Sequence, residues 1–110
     1  MTKILSIDTS KSKSITVGIS IDGKSNFISS QAKNIKSEAT LPLIDILLKK
    51  ENLDIEDIDG VEVNLDKGSF TGLRVGASIA NALSFLLKVK INNKKIGELA
   101  RPVYNDSRYD

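Results

Sequence analysis

Polar and apolar positions alternate most regularly between Ser14 and Ile21. Ile15, Val17, Ile19 and Ile21 interleave with Ser14, Thr16, Gly18 and Ser20. A period of two over eight residues predicts a strand with one buried face. Asp22-Gly23 follows directly. This pair suits a two-residue hairpin turn, because both positions tolerate positive φ. Lys24–Ser30 is then the returning strand, and the short apolar run in Lys3–Asp8 is a strand before the hairpin.

The pattern then turns helical. Ser37 is the expected N-cap, with Glu38 in the first turn. Leu41, Leu43, Ile44, Ile46, Leu47 and Leu48 follow, and Lys49-Lys50 suit the C-terminal end of the helix dipole. Pro42 near the start is expected to kink the first turn or delay the helix. Val61, Val63 and Leu65 alternate as a fourth strand. A turn at Gly68–Arg74 opens a second helix running to about Leu87, capped by Ser69 or Thr71. Val89 and Ile91 mark a fifth strand.

The predicted order is β-β-β-α-β-α-β, an α/β class with a five-stranded mixed sheet and two main helices. This order resembles one actin/Hsp70-like (ribonuclease H-like) lobe. Residues 1–96 are expected to form that lobe, and residues 97–110 a polar C-terminal tail.

The second helix is apolar or small nearly all round, a pattern that calls for burial on more than one side. Val75, Ile79, Ala82, Leu83 and Leu86 form a stripe expected to face the sheet. Gly72, Gly76, Ala80 and Ser84, four residues apart, form a second stripe, where another helix can approach closely. The expected partner-facing surface is therefore Leu43, Leu47, Gly72, Leu73, Gly76, Ala80 and Ser84. The competing arrangement has the two helices simply covering each other.

Composition narrows the chemistry. The 110 residues are 40% hydrophobic and 27% charged, a globular mixture. The net charge of +2 is too small to indicate nucleic-acid binding by itself. There is no Cys and no His, which removes thiolate chemistry, the commonest general base and the commonest metal ligands. Asp8-Thr9-Ser10 stands at a strand end where related folds place phosphate, but no glycine follows it. Gly68–Gly72 lacks both the spacing and the lysine of a P-loop. No catalytic, cofactor-binding or metal site is assigned. No secretory signal or membrane-length apolar run is visible, and the chain is expected to be cytoplasmic.

Three segments carry a more specific resemblance. Gly68-Ser69-Phe70-Thr71-Gly72-Leu73-Arg74-Val75-Gly76 resembles the signature Gly-Pro-Gly-Ser-Phe-Thr-Gly-Leu-Arg-Ile-Gly of TsaB proteins, with Lys67 where that family has proline. Ser37–Asp45 resembles the family's first helix, including its proline, and Lys3–Ser10 its opening strand and turn. Arg101-Pro102-Val103-Tyr104 resembles the segment that closes longer members. The chain thus looks like a short form lacking the second lobe.

The resemblance implies a non-catalytic scaffold subunit in the synthesis of threonylcarbamoyladenosine at tRNA position 37. It implies pairing with a TsaD-like transferase through the two helices, with a TsaE-like ATPase in the larger assembly. It places tRNA contact as indirect and leaves a homodimer open when the chain is alone. A nucleotide-binding or phosphotransfer domain, active as a homodimer through Asp8, Ser10 and the Gly68 turn, is the alternative.

Overall fold

The computed structural model describes residues 2–11, 13–31, 36–66, 68–94 and 97–101. Its elements are β1 (Lys3–Asp8), β2 (Ser14–Ile21), β3 (Lys24–Gln31), α1 (Lys36–Lys50), β4 (Gly60–Val63), α2 (Phe70–Leu87) and β5 (Lys90–Ile91), with a 3-10 turn at Ile55–Asp57 before β4. The strands form one sheet in the order β3-β2-β1-β4-β5. β2 runs antiparallel to both β1 and β3, while β1, β4 and β5 are parallel. The mixed five-stranded lobe expected from the pattern is the fold observed.

The hairpin forms for the anticipated reason. Asp22 and Gly23 have φ of 51° and 86°, the double positive φ of a type I′ turn, whose twist matches that of the flanking strands. The crossovers β3-α1-β4 and β4-α2-β5 travel the same way across the sheet. Right-handed connections therefore put both helices on one face. That face carries Leu5, Ile7, Ile15, Val17, Ile19, Val61 and Ile91, none more than 1% exposed, closed over by Ile44, Leu47, Leu48 and Ala80 from the helices. The other face is an open groove of about 820 Å3, lined by Ile4, Ser6, Asp8, Thr16, Phe27 and Glu62 among others.

Two helix expectations change. α1 is already helical at Lys36, so Ser37 lies inside it rather than at its N-cap. Nor does Pro42 delay the helix. It sits on the exposed side, where water can satisfy the carbonyl that loses its donor. α2 begins as predicted. Ser69 is its N-cap, and the Ser69 hydroxyl accepts a hydrogen bond from the Gly72 N–H at 3.0 Å. Its end is fixed by Lys88 in the left-handed region, φ 56°. Lys67 and the segment Pro102-Val103-Tyr104 lie outside the described residues.

The beginning of the expected polar tail is tied to α2. The Asn81 amide donates to the Ala100 carbonyl at 2.9 Å, and the Ala100 N–H donates back to the Asn81 side-chain oxygen at 2.7 Å. This pair seats Ala100, 3% exposed, in the core beside α2.

Candidate functional site

The Asp8–Ser10 strand end and the Gly68–Gly76 segment come together. Ser69 N–H donates to the Ser10 carbonyl at 2.8 Å, and the Thr9 hydroxyl donates to the Gly72 carbonyl at 2.5 Å. The contact is so close that side chains would not fit. A Cβ at Gly68 would lie 2.3 Å from the Ser10 Cβ and 2.8 Å from its backbone, and one at Gly76 would lie 2.5 Å from Thr9 Oγ1. Both glycines exist to let the turn and α2 approach β1.

A polar knot ties the same corner. Asp8 Oδ1 accepts hydrogen bonds from the Ser10 N–H at 2.9 Å and from the Ser10 hydroxyl. The Asn64 amide donates to Ser10 Oγ at 2.9 Å and to Asp8 Oδ1 at 3.4 Å. Burial pushes the Asp8 carboxyl upward. The two Ser10 bonds, the Asn64 bond and the charge of Lys11 outweigh that, and hold the carboxyl below its ordinary value of 3.8. The strand-end groups that could meet a phosphate are thus engaged with one another.

A pH test follows from this direction. A carboxyl depressed on folding stabilises the protein above its unfolded value, and that contribution is lost as pH falls through the folded value. In urea titrations, wild type is expected to lose stability more steeply than Asp8→Asn once the pH drops below 3.8. Parallel acid limbs for the two proteins would mean the knot does not favour the charged form.

The residues expected to face a partner are all inside the chain. Leu43 is 9% exposed, Leu47 and Ala80 0%, Leu73 1% and Ser84 5%, and Gly72 and Gly76 are also buried. Gly76 abuts Thr9 and Val63. Ser84 closes the end of α2, its hydroxyl donating to the Val89 carbonyl at 2.6 Å and its own carbonyl accepting from the Val89 N–H at 3.1 Å. The small-residue stripe faces the sheet because only small residues allow the close contact with the Thr9 corner. The stripe expected to face the sheet is split instead, with Ile79 and Leu83 packed at the margin of the core and Ala82 and Leu86 outside it. Val75, Ile79 and Leu83 are partly exposed, while Ala82 and Leu86 are exposed.

The large apolar side chains that the helices leave in water are Leu41 and Ile46 on α1, and Phe85 and Leu86 on α2, exposed by 51%, 57%, 76% and 72%; Phe27 on β3 and Leu99 are exposed as well. The two helices also touch each other. Each helix still leaves large apolar side chains on its outer side with no cover among the described residues. α2 is thus apolar on its outer side as well as on its buried one, with a different set of residues facing out than the sequence pattern suggested. Among the described residues, no helix is long and apolar enough to cross a membrane.

The comparisons with known proteins agree with this geometry. A family model described as TsaD, tRNA N6-adenosine threonylcarbamoyltransferase, matches residues 25–93. The TsaB tRNA threonylcarbamoyladenosine biosynthesis protein of Haemophilus influenzae is 34% identical over 82 residues, covering 74% of this chain and 34% of that protein. The tRNA N6-adenosine threonylcarbamoyltransferase of Persephonella marina is 31% identical over 102 residues, covering 78% of this chain and 30% of its own. The solved structure of YeaZ from Pseudomonas aeruginosa superposes with a TM-score of 0.77 at 21% identity, covering 86% of this chain and 44% of that one. That likeness speaks for the fold. The chain spans about a third of the length of the curated relatives it matches.

Proposed function

The chain belongs to the TsaB family within the TsaD-type threonylcarbamoyladenosine group, and from that premise we propose that it is a non-catalytic scaffold subunit in tRNA threonylcarbamoyladenosine synthesis. It pairs with a TsaD-like transferase through the outer sides of α1 and α2. A TsaE-like ATPase joins the larger assembly, and tRNA is contacted only indirectly.

One observation carries the reading. Four large apolar side chains, Leu41, Ile46, Phe85 and Leu86, stand more than half exposed on two helices that share one face of the sheet. Burying apolar surface contributes roughly 25 cal/mol per Å2, and an aromatic such as Phe85 is a typical anchor of a helix-lined interface. The knot around Asp8 and Ser10 supports the non-catalytic part. Its polar groups hydrogen-bond one another, and the Gly68 turn is packed against Ser10.

Co-purification with the TsaD homologue of the same organism, followed by titration calorimetry, tests the proposal. Wild type is expected to pair. Ile46→Asp and Phe85→Asp are each expected to weaken pairing by about thirtyfold, the effect of a ~2 kcal/mol hot spot. Their melting temperatures should stay near wild type, because both side chains point into solvent. Undiminished pairing by the double variant would refute the helix-face assignment. Stoichiometric binding of ATP and magnesium by the chain alone would refute the scaffold reading.

A further inference from the structure

Among the described residues, β3 is an edge strand without the usual protection. Sheet edges are commonly kept from pairing by being short, by carrying charge or proline, or by a bulge. β3 is eight residues long, and it pairs with β2 without interruption from Ile21↔Lys24 to Ser14↔Gln31. From Ser25 to Gln31 it contains neither a charge nor a proline. The opposite edge is different. β5 is two residues long, and the chain turns away from it at Asn92 and Asn93, with φ of 47° and 63°.

The hairpin fixes which backbone groups point outward. In a two-residue type I′ hairpin the flanking pair, here Ile21 and Lys24, exchanges both backbone hydrogen bonds. Orientation then alternates along the strand. Lys24, Asn26, Ile28 and Ser30 direct their N–H and C=O groups at β2. Ser25, Phe27, Ser29 and Gln31 direct theirs away from the sheet.

We infer that β3 pairs antiparallel with β3 of a second copy of this chain, about a two-fold axis through Ile28, to make one continuous sheet. This axis uses the whole strand. Ser25 lies opposite Gln31 of the second copy, and Phe27 lies opposite its Ser29. The outward groups of all four residues are then bonded. The axis also explains why the occupant is a second copy rather than any extended peptide. Ile28 is paired with the core residue Val17 and lies half-buried at the rim of the helix-covered side. The symmetry sets Ile28 against Ile28 of the second copy and completes its burial. The two Lys24 side chains fall at opposite ends of the paired segment, so the charges of the two edges do not meet.

The register can be read by cross-linking, because the chain has no cysteine. The two Ile28 positions form a non-hydrogen-bonded pair with Cα atoms about 4.5 Å apart, inside the roughly 4.4–6.8 Å span of a disulfide. Ile28→Cys is expected to oxidise to a covalent dimer. Ser30→Cys, which faces Asn26 of the second copy, is not. Light scattering of the full chain should show the mass doubling as concentration rises. Ser29→Pro removes an outward N–H and spares the β2 ladder, so it should stay at the mass of one chain with its fold kept. A single-chain mass at every concentration, a dimer that survives Ser29→Pro, or equal cross-linking at positions 28 and 30 would each overturn the inference. A dimer lost in Phe85→Asp but kept in Ser29→Pro would overturn it too, and would assign self-association to the helix face.

Discussion

Gly76→Leu is expected to cost the chain its fold rather than its partner. The reason lies in what surrounds the position. A Cβ there would stand 2.5 Å from Thr9 Oγ1 and 3.1 Å from Val63 Cγ2. Neither neighbour can yield easily. Thr9 is 0% exposed and Val63 7%, and the Thr9 hydroxyl is tied to the Gly72 carbonyl one turn away. Replacing glycine inside a helix gains up to ~1 kcal/mol of propensity. Forcing added volume into a packed core costs about 1–3 kcal/mol, and more when backbone must move. Gly76→Ala should therefore lie modestly on the destabilised side. Gly76→Leu, with its larger side chain, should lose several kcal/mol of a total that is typically ~5–15 kcal/mol. A loss of 1 kcal/mol lowers the melting temperature of a domain this size by roughly 4–8 °C, so thermal unfolding resolves the difference. Ser78→Leu, on the exposed side of the same helix, is the control and should melt near wild type. A Gly76→Leu protein that melts like wild type would mean α2 does not rest on the Thr9 corner.

The sequence taken alone predicts the reverse, with pairing lost and fold intact, and the reversal shows where its information ends. Elements were legible because each has a local cause. The alternation of Ile15, Val17 and Ile19 made β2, Asp22-Gly23 made the hairpin, and Ser69 made the start of α2. Together with the right-handed crossover rule, these were enough for the element order and the mixed sheet. The rotation of α2 was not legible. Only Thr71, Arg74 and Ser78 mark an outside, in the first half of a helix otherwise apolar or small nearly all round, and small residues four apart suit a sheet contact as well as a helix contact. The choice rests on a long-range fact, the approach of Gly68 and Gly76 to Thr9 and Ser10. Ser84 misled for another reason: its smallness matters less than its hydroxyl, which ends the helix on Val89. The anchoring of Ala100 by Asn81 was hidden because nothing near Ala100 in sequence signals burial. Its partner stands nineteen residues away.

Leu47→Ala and Ile46→Ala, adjacent on α1, are expected to part company completely. Leu47 is 0% exposed and belongs to the core, while Ile46 is 57% exposed. The buried positions of α1 among the described side chains are Thr40, Leu43, Ile44, Leu47 and Leu48, the three-and-four spacing of a helix stripe lying on a sheet. Removing a buried leucine side chain costs about 2–5 kcal/mol, according to how far the cavity collapses. Exposed changes usually stay within about 0.5 kcal/mol. Urea denaturation should thus show a large midpoint shift for Leu47→Ala and almost none for Ile46→Ala. Binding to the proposed TsaD-like partner should rank them oppositely, once measured under conditions where both variants are folded. Ile46→Ala should weaken pairing, and Leu47→Ala should pair with nearly wild-type affinity, since its side chain never reaches the surface. Equal stability losses at the two positions would mean α1 is rotated from the orientation described. Equal affinities would leave α1 folded as described but outside the contact, and would move the partner surface onto Phe85 and Leu86 alone.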